Sequence, residues 1–466
     1  MSGLFSSLNA SVKALSAQSR ALETTGKNLA NVNNPTYARQ KVIFGDRGTV
    51  ETPEGAESLG LEALGIQQVR DALLDKQVMR EIAMSASTTA QQQTYQRTQA
   101  SLGQTVASAS GANGAASGLG GAIDDFFSAF QSFASRPTDD GEKQTLLQKA
   151  GILTDRFQQT DNRLAQVQTD INSQVQSDVD TANQLLSAIA DLNKQIGRIE
   201  IGRPGSAIDL RDQRQARLED LAAKLPIETR VSTNGMVNVV MKDASNADVV
   251  LVDNSNVTGP VAFTGTGFTG GASATGLVFS SGSTAGYLNA RDNAVQTLRD
   301  QLNQLADQIV TSVNGAYNPL NTAGQNFFAP AGTAAGTIDL DPALTSATIR
   351  AGTAAAGDNS LALAVAAVSS QVFSTGSGDA ITGTIGKFYT SAASDLGQAL
   401  STVNARLDDQ AGIEKLVRTQ RDGVSGVSLD EEMADLVRFQ RAFQASSRVF
   451  GIVDELLDLV VNRLGQ

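Results

Sequence analysis

Apolar residues recur every seven positions at both ends of this 466-residue chain. Near the N-terminus the series is Leu8, Leu15, Leu22 and Leu29. Near the C-terminus it is Leu429, Leu436, Phe443, Phe450, Leu457 and Leu464, with Met433 beside it. A seven-residue period places a narrow apolar stripe along a helix, as in a coiled-coil seam. The pattern predicts a helix at each end, and each helix needs a covering surface to be stable.

Each terminal helix has a marked boundary. Asn33, Asn34 and Pro35 end the first helix. Ser428 and Glu431 have the spacing of a capping box at the start of the second, where the acidic run 430–432 also suits the helix dipole. We interpret this acidic run as a helix start and not as a cation site, because adjacent helical residues point in different directions.

Two arrangements could cover the terminal stripes. The ends could be ordinary amphipathic helices packed on their own domain, or they could meet each other or a neighbouring subunit. Burying one large apolar side chain contributes about 1.5–3 kcal/mol, and ordering each residue costs about 1–2 kcal/mol. Periodicity alone leaves both arrangements open.

Helical periodicity also dominates the middle of the chain. Apolar positions recur with a helical step from Gln144 to Ile199, which predicts one long helix. Further helical segments are predicted over 208–225, 287–317 and 356–368. Between Ile227 and Phe279 the period changes to two and turn residues interrupt the pattern, which predicts a small β domain.

These patterns predict a mainly α fold with an inserted β domain. Paired N- and C-terminal coiled-coil helices are expected, with a helical-bundle body that contains long helices and a small outer β domain. The predicted domains are a terminal assembly domain (1–60 plus 425–466), a helical body (61–226 plus 287–424) and the β domain (227–286).

Composition excludes several classes of function. The formal net charge of −12 and the absence of Lys/Arg runs argue against nucleic acid or anionic membranes as partners. No stretch approaches the roughly 20 apolar residues of a membrane span, and residues 1–30 lack the continuous apolar core of a secretory signal. Without His or Cys, the commonest general base and thiolate metal sites are absent.

No motif predicts catalysis. Gly265, Gly267 and Gly270 satisfy G-x-G-x-x-G, but the pattern of a Rossmann unit does not surround them. The neighbouring carboxylates Asp124 and Asp125 would need a cleft and a raised pKa to serve a glycosidase. We therefore predict no catalytic, cofactor-binding or metal-binding residue. The polar turn 31–40, which contains Asn33, Pro35 and Tyr37, is predicted to be a subunit contact.

Two segments carry a family resemblance. LSAQSRALETTGKNLANVNNPTYARQ (15–40) resembles the N-terminal signature of the flagellar rod, hook and hook-associated family, and SGVSLDEEMADLVRFQRAFQASSRVFGIVDELLDLVV (425–461) resembles its C-terminal signature. Tyr37, Arg39 and Gln40 are similar to the hook-associated branch, although Lys27 departs from the His that is common in the family. The run 209–214, DLRDQR, also resembles that branch.

The resemblance implies a structural adaptor that assembles at the distal end of the hook and joins hook to filament. The implied partners are further copies of the chain in a ring or tube, the hook protein, a second junction protein, the filament, and an export chaperone at the C-terminal helix. The implied location is the extracellular flagellum, reached through the flagellar secretion apparatus without a cleaved signal peptide. Alternatives are a hook or distal rod subunit, or a flagellum-associated wall hydrolase.

Overall fold

The computed structural model describes residues 2–46, 48–52, 55–58, 60–102, 118–232, 235–353 and 357–459. The chain forms two compact units. The first, here called the terminal unit, comprises Met1–Ser85, Val179–Gly282 and Gln410–Gln466. The second, here called the central unit, comprises Ala86–Asp178 and Ser283–Asp409.

Helices form most of the described chain. In chain order they are α1 (Ser2–Ala30), α2 (Ala72–Ser101), α3 (Leu119–Ser135), α4 (Asp140–Ile199), α5 (Ile208–Ala222), α6 (Gly282–Ala290), α7 (Gln296–Tyr317), α8 (Ser360–Val368), α9 (Ile385–Ser425) and α10 (Leu429–Asp458). The long helix predicted over 144–199 is confirmed as the 60-residue α4. At 1.5 Å per residue it is about 90 Å long.

The strands fall into two stretches of sequence. The first contains β1 (Gln40–Asp46), β2 (Thr49–Thr52), β3 (Gly55–Ser58) and β4 (Leu61–Gln68). The second contains β5 (Glu228–Val231), β6 (Val237–Lys242), β7 (Asp248–Asp253), β8 (Asn256–Val257), β9 (Ala262–Phe263), β10 (Phe268–Gly270) and β11 (Thr275–Gly276). All pairings between these strands are antiparallel.

The second stretch confirms the predicted β insertion between helices. Strands β5 to β8 form one sheet in sequence order, and β9 to β11 form a smaller sheet. Val239, Met241 and Leu251 are fully buried, as period-two patterning of a half-buried sheet requires. The mainly α fold with an inserted β region is therefore confirmed.

The first stretch of strands was not predicted. β1 and β4 pair from Gln40↔Gln68 to Asp46↔Leu61, with an irregularity between Ile43 and Phe44. Their residues are mostly half-buried, so hydrophobic alternation is weak. The pairing brings the chain from the end of α1 to the start of α2 through residues close to the polar turn.

The terminal unit contains α1, α10, α5 and the strands β1 to β11. The β region and the terminal helices thus belong to one compact unit. The three-part domain division expected from the sequence, with a separate domain over 227–286, stays a prediction.

An aromatic cluster forms the centre of the central unit. Phe126 and Phe130 of α3 pack against Phe327, with ring centroids 5.7 and 5.0 Å apart, and Tyr317 of α7 packs against the same ring at 5.4 Å. All four side chains are essentially inaccessible to solvent. Edge-to-face packing of this kind stabilises a core beyond its buried area.

The helix predicted over 287–317 contains a π-helical turn at Arg291–Val295. Arg291 Nη1 donates to Asn172 Oδ1 of α4 at 2.6 Å. A π-helical turn contains one more residue than an α-helical turn and rotates the buried face of the helix only slightly. The apolar spacing of the sequence therefore did not indicate it. No helix within the described ranges has the length and apolar character of a membrane span.

Two helical glycines provide a matched test of the packing of the central unit. A Cβ at Gly286 would overlap the backbone carbonyl oxygen of Ser87, whereas a Cβ at Gly315 would meet no atom within 4 Å. Gly286→Ala is expected to lower the free energy of unfolding by about 1–3 kcal/mol. Gly315→Ala is expected to raise it by up to about 1 kcal/mol, because Ala is the better helix former. Urea unfolding of both variants measures these free energies. An unchanged free energy of unfolding for Gly286→Ala would contradict the close contact between Gly286 and Ser87.

Candidate assembly site at the paired termini

The two ends of the chain meet in the terminal unit. α1 packs along α10 and also against β1 and β4. Asn28 near the end of α1 contacts Glu432 near the start of α10, so the two helices are antiparallel. The first and last helices of the chain therefore cover each other in part, as the paired coiled-coil prediction expects.

The most buried face of α1 is made of small and polar residues, not of leucines. Its buried members are Ser11, Ala17, Ala21, Thr24, Thr25 and Asn28. Small side chains allow the neighbouring backbones to approach closely. The hydroxyl groups of Ser11 and Thr24 donate to the carbonyl oxygens of Ser7 and Arg20 in the preceding turn, so they are not left unpaired.

The predicted interface residues lie around this buried face. On α1, Leu8, Leu15, Leu22 and Leu29 are half-buried. On α10, Leu436, Phe450 and Leu457 are half-buried, whereas Leu429, Met433 and Phe443 are exposed. Leu464 lies outside the described residues. Their role in an interface between copies stays a prediction.

Asn28 is the hydrogen-bonding centre of the meeting point. Its Nδ2 donates to the carbonyl oxygen of Gln40 and to Glu432 Oε2, each at 2.9 Å. Its Oδ1 accepts from the Tyr37 hydroxyl at 2.9 Å and from the backbone N–H of Gln40 at 3.0 Å. Both donors and both acceptor positions of the amide are thus used, which is the condition for burying it without a penalty.

Arg39 joins the turn after α1 to the start of α10. Its Nε donates to Glu432 Oε1 at 2.6 Å, and its Nη1 donates to Glu431 Oε2 at 2.5 Å. Asp435 lies 3.6 Å from Nη2. The backbone N–H of Arg39 also donates to the carbonyl oxygen of Ser425 at 2.8 Å. Burial lowers the pKa of Arg39, but Glu432 and Glu431 outweigh burial and raise it above its ordinary value.

The acidic run at the start of α10 thus has a second role that the sequence did not indicate. Glu432 is only 2% exposed, and it accepts hydrogen bonds from both Asn28 and Arg39. The expected capping box does not form, because the Ser428 side chain makes no cap hydrogen bond. α10 begins at Leu429, so the acidic run does lie in the first turn of a helix as expected, and Glu432 in addition binds the turn after α1.

Two further arginines hold the polar turn from the other side. Arg421 of α9 donates to the carbonyl oxygen of Pro35 at 2.7 Å and pairs with Glu219 at 2.8 Å. Arg70 donates to the carbonyl oxygen of Thr36 at 2.9 Å and pairs with Asp212 at 2.5 Å. Both carbonyl groups belong to the turn, so the turn conformation is set by residues far away in sequence.

Residues of the family-like run 209–214 form hydrogen bonds with residues beside this turn. Asp212 Oδ1 accepts from Arg70 and from Gln68, each at 2.5 Å. Asp209 accepts from Gln40 at 3.3 Å, and Arg214 donates to the carbonyl oxygen of Gly235 at 2.7 Å. The run therefore connects the terminal turn to the loop before β6.

Burial changes the titration of two groups beside the turn. It raises the pKa of Asp212 to about 6, although the hydrogen-bonded Arg70 opposes the change. Burial also raises the pKa of Tyr37 well above its ordinary value, with the nearby carboxylates Asp212, Asp209 and Glu432 adding to the effect. Tyr37 therefore remains a neutral hydroxyl donor to Asn28 across the physiological pH range.

The outer surface of the turn remains accessible. Asn33 and Pro35 are exposed, and Tyr37 is half-buried. A cleft of about 540 Å³ lies between the turn and α5, and its lining includes Asn34, Tyr37 and Asp209. Within the described ranges, no cluster of acidic side chains has the arrangement of a metal site.

Four large apolar residues near the end of α10 remain exposed although α10 packs along α1. Val449, Ile452, Leu456 and Leu459 are between 44 and 59% exposed. Their spacing places them on one side of the helix, and we call them the outer stripe. The buried Val453 lies between them in sequence but faces inward.

Sequence reasoning missed the side chains that make the meeting point specific. These are Asn28, Arg70, Asp212, Arg421 and Glu432. A polar Asn inside a heptad helix is the one signal that could have identified a member of this set, because such a residue usually sets register. The partners of Asn28 are up to 404 positions away and could not be deduced from spacing.

Comparisons with known proteins agree along the chain. The family described as flagellar hook-associated protein FlgK helical domain matches residues 110–328. The flagellar basal body rod FlgEFG protein C-terminal family matches 422–464, and the flagella basal body rod protein family matches 8–37.

Full-length relatives carry one name. Flagellar hook-associated protein 1 of Bacillus subtilis is 24% identical, with 100% of this chain and 99% of that protein covered. Flagellar hook-associated protein 1 of Salmonella typhimurium is 23% identical, with 98% and 99% covered. The solved structure of the flagellar hook junction protein FlgK from Burkholderia pseudomallei is 20% identical, with a TM-score of 0.45 over 55% of this chain and 46% of that chain.

Glu432 and Glu431 allow a matched test of the meeting point, because they are adjacent and both bind Arg39. The Glu432 side chain is 2% exposed and the Glu431 side chain 63%. Glu432→Ala is expected to lower the free energy of unfolding by about 2–4 kcal/mol, since Arg39 and Asn28 would lose a buried partner. Glu431→Ala should cost less than about 1 kcal/mol. Equal losses in urea unfolding would contradict the assignment.

Asp212 predicts a specific pH dependence. Its folded pKa of about 6 exceeds the ordinary value of 3.8, so the folded state holds the proton more tightly than the unfolded state. The contribution of Asp212 to stability therefore falls as the pH rises from about 4 to about 6, by on the order of 1–3 kcal/mol. Asp212→Asn should remove this component. Unfolding free energies of both proteins between pH 4 and pH 7 test it, and a constant difference between them contradicts it.

Proposed function

Because the chain belongs to the flagellar hook-associated protein 1 family, we propose that it is a structural adaptor at the distal end of the flagellar hook, where it joins hook to filament. It assembles by packing its terminal helices against those of neighbouring copies. It acts as a building block and not as an enzyme. Its place is the flagellum, among other axial components.

The observation that carries this proposal is the outer stripe of α10. Four large apolar side chains remain between 44 and 59% exposed although α10 already packs along α1. Apolar faces on a helix are normally covered, and covering them in an assembly supplies a driving force for association. The terminal helices thus have one face for intrachain pairing and another for a neighbour.

The proposed partners follow the family. Within the flagellum they are further copies of this chain in a ring or tube, the hook protein on one side, and a second junction protein and the filament on the other. Before export, a chaperone covers the C-terminal helix. Export uses the flagellar secretion apparatus and removes no signal peptide, and the assembled protein is extracellular.

A hook or distal rod subunit is the second candidate, because the rod families match at both ends of the chain. The middle of the chain favours the junction protein, since the hook-associated helical family matches 110–328. The 60-residue α4 lies within this match.

The proposal predicts that the outer stripe is required for assembly. Val449→Asn, Ile452→Asn and Leu456→Asn together should leave the protein folded, because these side chains are already exposed. In cells that lack the wild-type gene, this variant should be absent from purified flagella, and filaments should not grow on hooks. Immunoblotting and electron microscopy measure both outcomes.

Leu320→Asn with Val372→Asn is the matched control, since both residues are exposed apolar side chains of the central unit. The control should support normal filament growth. If the triple variant of the outer stripe enters flagella and supports filaments as the control does, the assembly mechanism is wrong.

A further inference from the structure

The cations of α1 form a ridge along one side of the helix. Lys13, Arg20 and Lys27 are seven residues apart, and Glu23 is the only acidic residue of α1. Glu23 pairs with Lys27 at 3.2 Å. Lys13 and Arg20 form no ion pair with any carboxylate of the described residues. Arg20 makes a single long hydrogen bond, 3.5 Å, to the carbonyl oxygen of Ala63. We call Lys13 and Arg20 the basic ridge.

The end of α10 has the opposite character. Asp454 and Glu455 are exposed, and neither forms an ion pair within the described part of the chain. Glu455 is three residues after Ile452 and therefore lies on the same side of α10 as the outer stripe, whereas Asp454 projects from another side of the helix. We call Asp454 and Glu455 the acidic end. The same segment thus carries two exposed carboxylates and apolar side chains that are about half exposed in the described part of the chain.

The two charged sets do not meet within one copy, although α1 and α10 pack along each other. Lys13 and Arg20 border the buried face of α1, since they lie one turn from the buried Ala17. No ion pair among the described residues joins either of them to Asp454 or Glu455. The two cations of the basic ridge and the two carboxylates of the acidic end can therefore form ion pairs with a second copy of the chain.

We propose that the acidic end of α10 in one copy docks on the basic ridge of α1 in the next copy. This inference rests on the proposed function, because it names the side chains that set the contact between copies. The contact joins two different surfaces, so it can repeat from copy to copy and generate a ring or a helical tube. Charges of this kind fix register and steer encounter more than they add affinity.

Charge reversal tests the contact in cells that lack the wild-type gene. Lys13→Glu with Arg20→Glu should reduce the protein in purified flagella roughly tenfold, and Asp454→Lys with Glu455→Lys should do the same. Combining all four substitutions should restore incorporation, because the charges are exchanged. Two control variants change net charge equally at exposed unpaired positions: Arg163→Glu with Lys387→Glu, and Asp408→Lys with Asp409→Lys. Both should incorporate normally.

Cross-linking gives a second readout that does not depend on reversing charges. The chain has no native cysteine, so every thiol cross-link reports an engineered pair. Asp454→Cys combined with either Lys13→Cys or Arg20→Cys is treated with a short bismaleimide in purified flagella, because paired long side chains separate the Cβ atoms beyond disulfide range. At least one pair should produce a ladder of multimers, and Arg163→Cys with Asp409→Cys should produce none.

The outcomes separate this inference from the proposed function. Wild-type protein missing from purified flagella overturns the proposed function and this inference with it. Normal incorporation of both reversal variants, with monomers only after cross-linking, overturns the charged contact and leaves the adaptor function intact. Loss of incorporation by the reversal variants without rescue in the fourfold variant, again with monomers only, also overturns the contact.

Discussion

The buried hydrogen bonds between Asn28, Arg39 and Glu432 are the interaction on which the rest of the terminal unit depends. They join residues from the two ends of the chain, and each has a large desolvation cost unless its partners are in place. Because the amide of Asn28 is fully bonded, only one register of α1 against α10 satisfies it. The apolar contacts between the helices could tolerate a shift of one turn, but these polar contacts could not.

The hydrogen bonds between Asn28, Arg39 and Glu432 also determine which faces of the terminal helices are buried and which are exposed. The most buried face of α1 consists of small and polar side chains such as Ala17 and Ala21, and α10 contributes the buried Val453. The large apolar side chains of the outer stripe are then left at the surface. Under the proposed function, neighbouring copies cover these side chains in the assembly.

Prediction from the sequence succeeded where the signal was local and periodic. The 60-residue α4, α5, the helix before Tyr317 and the β insertion were all indicated by apolar spacing. It failed where periodicity was weak: β1 and β4 have mostly half-buried residues, and α9 was not indicated at all. At the site, the position of the polar turn was predicted, but the arginines that hold it were not, since Arg70 and Arg421 are distant in sequence.

The sequence by itself determined that both ends are helices with apolar stripes, that the chain contains neither His nor Cys, and that a small β region interrupts a helical protein. Spacing is enough for these conclusions because helix and strand periods are local properties of the chain. Only the tertiary structure decided which face of each terminal helix is buried and which is exposed. That choice depends on the hydrogen bonds of Asn28 and Glu432, which form between residues about 400 positions apart.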